Sequence, residues 1–552
     1  MVNSSKKKRT NDTSVLEKDS GKTCRYCVLI FVAIILVQVL CIVILGTHKH
    51  GYHTDEVYSY LLSNSYDTDR IANSDIVNDN WVTGEEFMEF VTVQEGEQFG
   101  YDKTYYNNTQ DAHPPLFYFA LHTICSIFPN CFSKWFGIGL NLFFFVVMQI
   151  MLYILSSSFL GSNLWGIIPP VLYGSVEICM DTVIFIRMYM MLTMFTVALF
   201  LLHYRMLEGK VKFQYLWCYI ITFLGIFTQY YFAFVAFYLA IAYCICLLRH
   251  KCIKSLIAYS ASMILAVATV FILYPAGISQ VTGSDTNNIG KEVSSNILNF
   301  SNLPTAVVHL FGQLAKRVIP ALNTAPFMAA VIIAAIVIAF RKKGSGEEAP
   351  KTNKRIFIAL FFILSFTFLT IAHISGKYSY VRYIYNIIPL CVIFVTAMIK
   401  IIAKKLSLDH KTVAFGLITF SVIGTIGLCA NEKSTLMLND LASNQSKVVK
   451  ECENRPLIVV SNGKSYFPTG NFGILSKCKE LYLATTDEID VDDLLEGRDS
   501  GNGEVFLVIT DNEWSNGYDG DEVMTKLISS SEKLSSYSET GSVSFGTVYI
   551  AQ

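Results

Sequence analysis

The chain has 552 residues, of which 52% are hydrophobic and only 16% charged, too apolar and too charge-poor for a soluble globular protein of that size. It reads as a polytopic membrane protein. A net charge of -1 gives no electrostatic footprint for nucleic acid, so nucleic-acid binding is excluded and the informative charge is local, where Lys and Arg fall between apolar runs.

Residues 1–25 form a basic N-terminal segment that carries Lys6-Lys7-Lys8-Arg9. The apolar run 26–46 behind it is longer than a secretory h-region and lacks a small-x-small cleavage signal, which predicts a retained signal-anchor. Further apolar runs follow at 140–158, 164–179, 184–206, 214–230, 231–249, 255–274, 318–340, 355–373, 384–402 and 411–430, giving about eleven spans. With the first segment inside, the clusters Lys210/Lys212, Arg249/Lys251/Lys254, Arg341-Lys342-Lys343 and Lys400/Lys404/Lys405 all face the cytoplasm. Counting the short apolar stretch 114–128 as a span would invert every later cluster, so it is read as a re-entrant or interfacial helix. The loop 47–112, the turn from Glu177 to Asp181, the loop 275–317 and the stretch from His373 to Tyr383 then lie outside, with everything after residue 430. In a Cys-depleted background, Gly344→Cys should be labelled only from the cytoplasmic side; labelling from outside would refute this threading.

The domain plan is therefore a basic N-terminus (1–25), a transmembrane region (26–430) and a tail (431–552). The tail changes character. Short apolar runs at 457–460, 481–483 and 505–509 alternate with polar, Gly- and Asn-containing turns, predicting a small extracytoplasmic α/β domain.

Charged residues gather at the predicted outer span ends. Asp55 and Glu56 follow the signal-anchor in His53-Thr54-Asp55-Glu56, and the same loop closes in Asp111-Ala112-His113-Pro114-Pro115-Leu116-Phe117-Tyr118. Glu177, Asp181, Arg187 with Tyr189, Lys377 and Arg382 with Tyr383 complete the set. Ionisable groups at membrane depth are costly and usually serve chemistry, and several cations at headgroup level imply water, partners or an anionic ligand such as a lipid phosphate. The plainer readings are snorkelling for Lys377 and Arg382, helix capping for the acidic pair, and loop stiffening around His113.

The order of these elements resembles the GT-C superfamily of membrane glycosyltransferases: a signal-anchor followed by Asp55-Glu56, a loop ending in Asp111-x-His113-Pro114-Pro115-Leu116-x-Tyr118, a span opening on Arg187-x-Tyr189, and a late Arg382-Tyr383 stretch before Pro389. Within it the chain is similar to the protein O-mannosyltransferase and aminoarabinose-transferase-like group, over roughly residues 25–430. The resemblance implies an all-α polytopic fold and transfer of a sugar from a polyprenyl-phosphate donor to a cell-envelope acceptor on the outer face of a bacterial plasma membrane. It also implies Asp55, with Glu56 beside it, as the catalytic or metal-organising carboxylate, and a second acidic position at Asp181 or Glu177. Asp111, His113, Asp181, Arg187, Tyr189, Lys377, Arg382 and Tyr383 are then the candidate substrate-binding residues. Hard carboxylate oxygens at Asp55 and Asp181 suit a divalent cation, Mg²⁺ or Mn²⁺. No acceptor signature is present. A transporter or flippase of lipid-linked saccharides is the rival reading, but it would place charge near mid-membrane in paired halves, whereas here the charge crowds one face.

Overall fold

The computed structural model describes residues 3–65, 79–282, 295–296, 299–318, 351–375, 380–452, 456–461, 467–498, 505–509, 518–544 and 546–552. The described chain divides into two compact units.

The first unit, built from Met1–Ile44, Asn141–Val183 and Met188–Ser434, is helical. Among the described residues, eight helices are long and apolar enough to cross a membrane: Arg25–His48, Lys134–Leu160, Tyr189–Leu207, Phe232–Arg249, Ile253–Leu273, Ile356–Ser375, Val381–Lys405 and His410–Ala430. Each matches an expected span; their composition makes this a multi-pass membrane protein. The expected span 164–179 is instead a bent pair, Asn163–Tyr173 and Glu177–Ile184, that turns by 67°. Pro169 and Pro170 inside the first helix of the pair remove two intrahelical donors. At the end of this helix the Pro170 carbonyl accepts from the Gly174 amide at 3.2 Å and also from Gln38 Nε2 at 3.2 Å and Gln149 Nε2 at 3.0 Å. A Cβ on Gly174 would lie 2.0 Å from Gln38 Nε2, so a larger residue at the bend would push the Gln38 side chain off the Pro170 carbonyl. The run 214–230 appears as the 15-residue helix Gln214–Thr228, and 114–128 as the 12-residue helix Leu116–Ile127, both shorter than a full crossing. The run 318–340 lies almost wholly outside the described residues.

Inside this unit one core joins Phe31, Ile34 and Ile35 to Ile167, Ile168 and Val171 and to Ala414 and Ile418. Apolar residues such as Leu29, Ile264 and Phe420 stay exposed, as helix faces turned to lipid require.

The second unit joins Leu45–Leu140, Ile184–Arg187 and Thr435–Gln552. Its C-terminal part runs from Thr435, and the first loop, placed with the transmembrane region in the sequence reading, belongs to it as well. Its sheet has six strands: β1 (Trp81–Val82), β2 (Pro456–Val460), β3 (Glu480–Ala484), β4 (Val505–Ile509), β5 (Tyr537–Val543) and β6 (Gly546–Ala551), in the order β1-β3-β2-β4-β6-β5. The three runs expected as strands are the parallel centre β3-β2-β4. Every residue of β2 is buried, which explains its unbroken apolar sequence. The flanking strands are antiparallel, with β5 mostly exposed and therefore polar at the edge.

β1 comes from the first loop. Asp79 ahead of it accepts from the Thr485 amide at 2.9 Å and the Thr485 hydroxyl at 2.6 Å, and Trp81 lies 4.0 Å under the Arg498 guanidinium. Loop and tail thus share one sheet.

Candidate active site

Past the first span, Gly51 is buried against the tail segment: a Cβ there would sit 2.4 Å from the Leu438 carbonyl oxygen, so only glycine lets the two backbones approach. The helix Thr54–Asn64 starts next, with extended His53 as its N-cap. His53 Nδ1 accepts the Asp55 amide at 3.0 Å, and the Glu56 carboxylate accepts the His53 amide at 2.8 Å, a reciprocal capping box. Asp55 and Glu56 therefore occupy the first turn, where helix amides favour negative charge. Because Nδ1 accepts from a backbone amide, His53 carries its proton on Nε2, and its 3.8 Å approach to Asp55 Oδ2 is not an ion pair.

Glu56 is fully buried and engaged at both oxygens. Oε1 accepts the Ile186 amide at 3.0 Å, and Oε2 faces Lys49 Nζ at 2.9 Å in addition to the His53 amide. Lys49 is equally buried and also donates to the Leu436 carbonyl. Removing either partner alone would strand a buried charge, at a cost of about 3–5 kcal/mol. Burial, with the Glu56 charge adding to it, pushes the Tyr52 phenol well above its usual range, so that phenol stays protonated.

Arg187 comes to this helix from the break between two helices. Its guanidinium donates to the Asp55 carbonyl oxygen at 3.4 Å and approaches His113 Nε2 at 3.4 Å, with the Tyr118 ring 5.9 Å away. Guanidinium nitrogens only donate, so His113 Nε2 accepts and Nδ1–H donates to Asp111 at 2.8 Å. The Ser59 hydroxyl ties the Asp55 helix to the Ile186 carbonyl at 2.7 Å. Asp55, Glu56, Asp111, His113 and Arg187, expected from sequence as parts of one site, are thus linked within one unit.

The other unit holds a second set. Asp181 is buried; its Oδ2 pairs with Arg317 at 3.2 Å and its Oδ1 accepts from the Ser434 hydroxyl at 2.6 Å. Arg317 also donates to the Tyr385 hydroxyl at 3.1 Å, and the Tyr385 ring packs edge-on against Tyr189. Arg382 lies over the Tyr380 ring at 4.7 Å and the Tyr383 ring at 5.7 Å, with Tyr231 4.9 Å from Tyr383. Lys377 lies outside the described residues. None of these candidates lines the apolar cavity of about 780 Å³ in the same unit, which Phe159, Tyr204, Tyr238 and Ile363 enclose with Arg249.

Lys49, Arg317, Tyr385 and Ser434 take part without having been expected. For the two cations a signal existed: under the charge rule Lys49 and the pair Lys316-Arg317 fall at outer span ends, against the inward bias of positive charge. Among the described residues no three His, Cys, Asp or Glu side chains form a metal-ligand group. Glu56 and Asp181 are both committed to cationic and neutral donors. No step below is routed through a divalent cation.

No family model and no curated protein matches the sequence. The crystal structure of ArnT from Cupriavidus metallidurans bound to undecaprenyl phosphate is similar over 95% of this chain and 97% of that one, at 12% identity and a TM-score of 0.51. Two oligosaccharyltransferase structures from Archaeoglobus fulgidus, one tethered to an acceptor peptide and one with an inhibitory peptide and a dolichol-phosphate, cover 83% and 86% of this chain. They reach 64% and 69% of their own chains, at 11% and 10% identity, with TM-scores of only 0.38 and 0.37. At that identity the ArnT likeness is one of fold alone.

Proposed function

We propose that this chain is an inverting membrane glycosyltransferase that moves a sugar from a polyprenyl-phosphate donor to a cell-envelope acceptor at the outer face of the plasma membrane, with its tail domain extracytoplasmic. The observation that carries the reading is the linked set Asp55, Arg187, His113 and Asp111, in a chain that shares the fold of a protein crystallised with undecaprenyl phosphate. A carboxylate at a helix N-terminus beside an anchored guanidinium supplies the two things glycosyl transfer requires: a proton acceptor and a counter-charge for a departing phosphate.

In this mechanism Asp55 takes the proton of the acceptor hydroxyl as its oxygen bonds to the anomeric carbon. The bond from that carbon to the phosphate oxygen breaks with its electron pair, and polyprenyl phosphate leaves. Arg187 bears on the phosphate charge, favoured over lysine because its planar fork can donate to two oxygens at once. Asp111 fixes the His113 tautomer, and His113 in turn orients Arg187. The sequence resemblance alone assigns Tyr189, Lys377, Arg382 and Tyr383 to holding the donor. The sugar is a hexose or pentose.

Purified protein given a mixed pool of undecaprenyl-phosphate hexoses and pentoses, with an envelope extract as acceptor, should release undecaprenyl phosphate. No release from any member of the pool would contradict the reading.

A further inference from the structure

The acidic pair consists of chemically unlike members. Asp55 is partly exposed, while Glu56 is fully buried and spent on Lys49 and two backbone amides. Lys49 does not stop at Glu56: its ammonium also donates to the Leu436 carbonyl, at the start of the tail. Two contacts run beside it. The Gly51 amide donates to the Met437 carbonyl at 3.4 Å, and the His50 amide to Asn439 Oδ1 at 3.2 Å. Three stretches therefore meet on one buried ion pair: the end of the first span, the start of the Asp55 helix and the tail segment Leu436–Asn439. Through Oε1 the same carboxylate holds the Ile186 amide, next to Arg187.

We propose that Glu56 is a positioning residue, and that the Lys49–Glu56 pair clips the Asp55 helix and the Arg187 segment to the tail backbone, so that the tail sets the pose of the proton acceptor. The proposal rests on the reading of Asp55 as that acceptor. It gives the tail a part in catalysis even for a simple acceptor that needs no recruitment. The contact joins residues 387 positions apart, Lys49 and Leu436, so loop and tail must both fold before the proton acceptor is in place.

The test uses the full chain and replaces both charges at once, K49M with E56Q, so that no lone charge is buried. The readouts are the melting temperature, affinity for undecaprenyl phosphate, and turnover per folded molecule on the mixed undecaprenyl-phosphate sugar pool. Positioning predicts an unchanged affinity and a kcat lower by about 10- to 100-fold, the scale of loss from a misplaced catalytic group. A purely structural pair predicts a lower melting temperature with kcat per folded molecule unchanged, and that result overturns the proposal. Should the double variant not fold, Asn439→Ala, on the exposed rim of the same contact, decides: a kcat lower by about 3- to 10-fold with unchanged affinity supports the clip, and parental kcat overturns it. Asp55→Asn run alongside separates the two readings. If it keeps turnover, the assignment of Asp55 fails; if it is inactive while the double variant turns over normally, the clip alone fails.

Discussion

Asp55→Asn should fold and bind undecaprenyl phosphate as the parent does and yet turn over at least 10²- to 10⁴-fold more slowly, the usual loss when a general base is removed. The fold should hold because what Asp55 gives the structure is mainly backbone: its amide reaches His53 Nδ1, and its carbonyl accepts from the Ser59 hydroxyl at 3.1 Å and from Arg187. Asparagine keeps all three and removes only the proton-accepting oxygen. Near-parental turnover, measured as release of undecaprenyl phosphate, would mean that another group takes the proton.

Arg187→Ala should weaken undecaprenyl phosphate binding by about 1.5–3 kcal/mol, roughly 10- to 150-fold, as expected when a charge-assisted bond to phosphate is lost. Arg187→Lys should recover little, because a lysine cannot reproduce a fork fixed between the Asp55 carbonyl and His113. Arg382→Ala separates phosphate contact from snorkelling: weaker affinity supports the first, whereas unchanged affinity with a small change in stability supports the second. Unchanged affinity in both alanine variants, read by titration, would place the phosphate site elsewhere.

What the sequence made legible was whatever repeats a simple physical rule along the chain. Apolar length marked the helices from Arg25–His48 to His410–Ala430, and the unbroken apolar run of β2 marked a strand buried on both faces. The candidate site residues were visible because charge at a span end is costly: Asp55, Asp111, His113 and Arg187 each stand out against lipid-length apolar runs. Pairing was not legible. Glu56 reads the same as Asp55 until Lys49 and the Ile186 amide are seen on its oxygens, and Lys49 by itself is one more cation after a span. β1 is two residues long and polar β5 carries no alternation, so neither announces a strand, and with β1 went the joining of the first loop to the tail. The bend at Gly174 was hidden because Pro169 and Pro170 mark where donors are missing, not that Gln38 and Gln149 from distant helices will meet at the Pro170 carbonyl.

The most direct test is a comparison of membrane lipids from a strain lacking the protein with the same strain complemented by the parent chain or by Asp55→Asn. The expected result is that one polyprenyl-phosphate sugar accumulates in the deletion strain and in the Asp55→Asn strain, falls with the parent chain, and is matched by loss of the corresponding sugar from an envelope glycan, lipid or protein. Identical polyprenyl-phosphate sugar pools in all three strains would contradict transfer from such a donor.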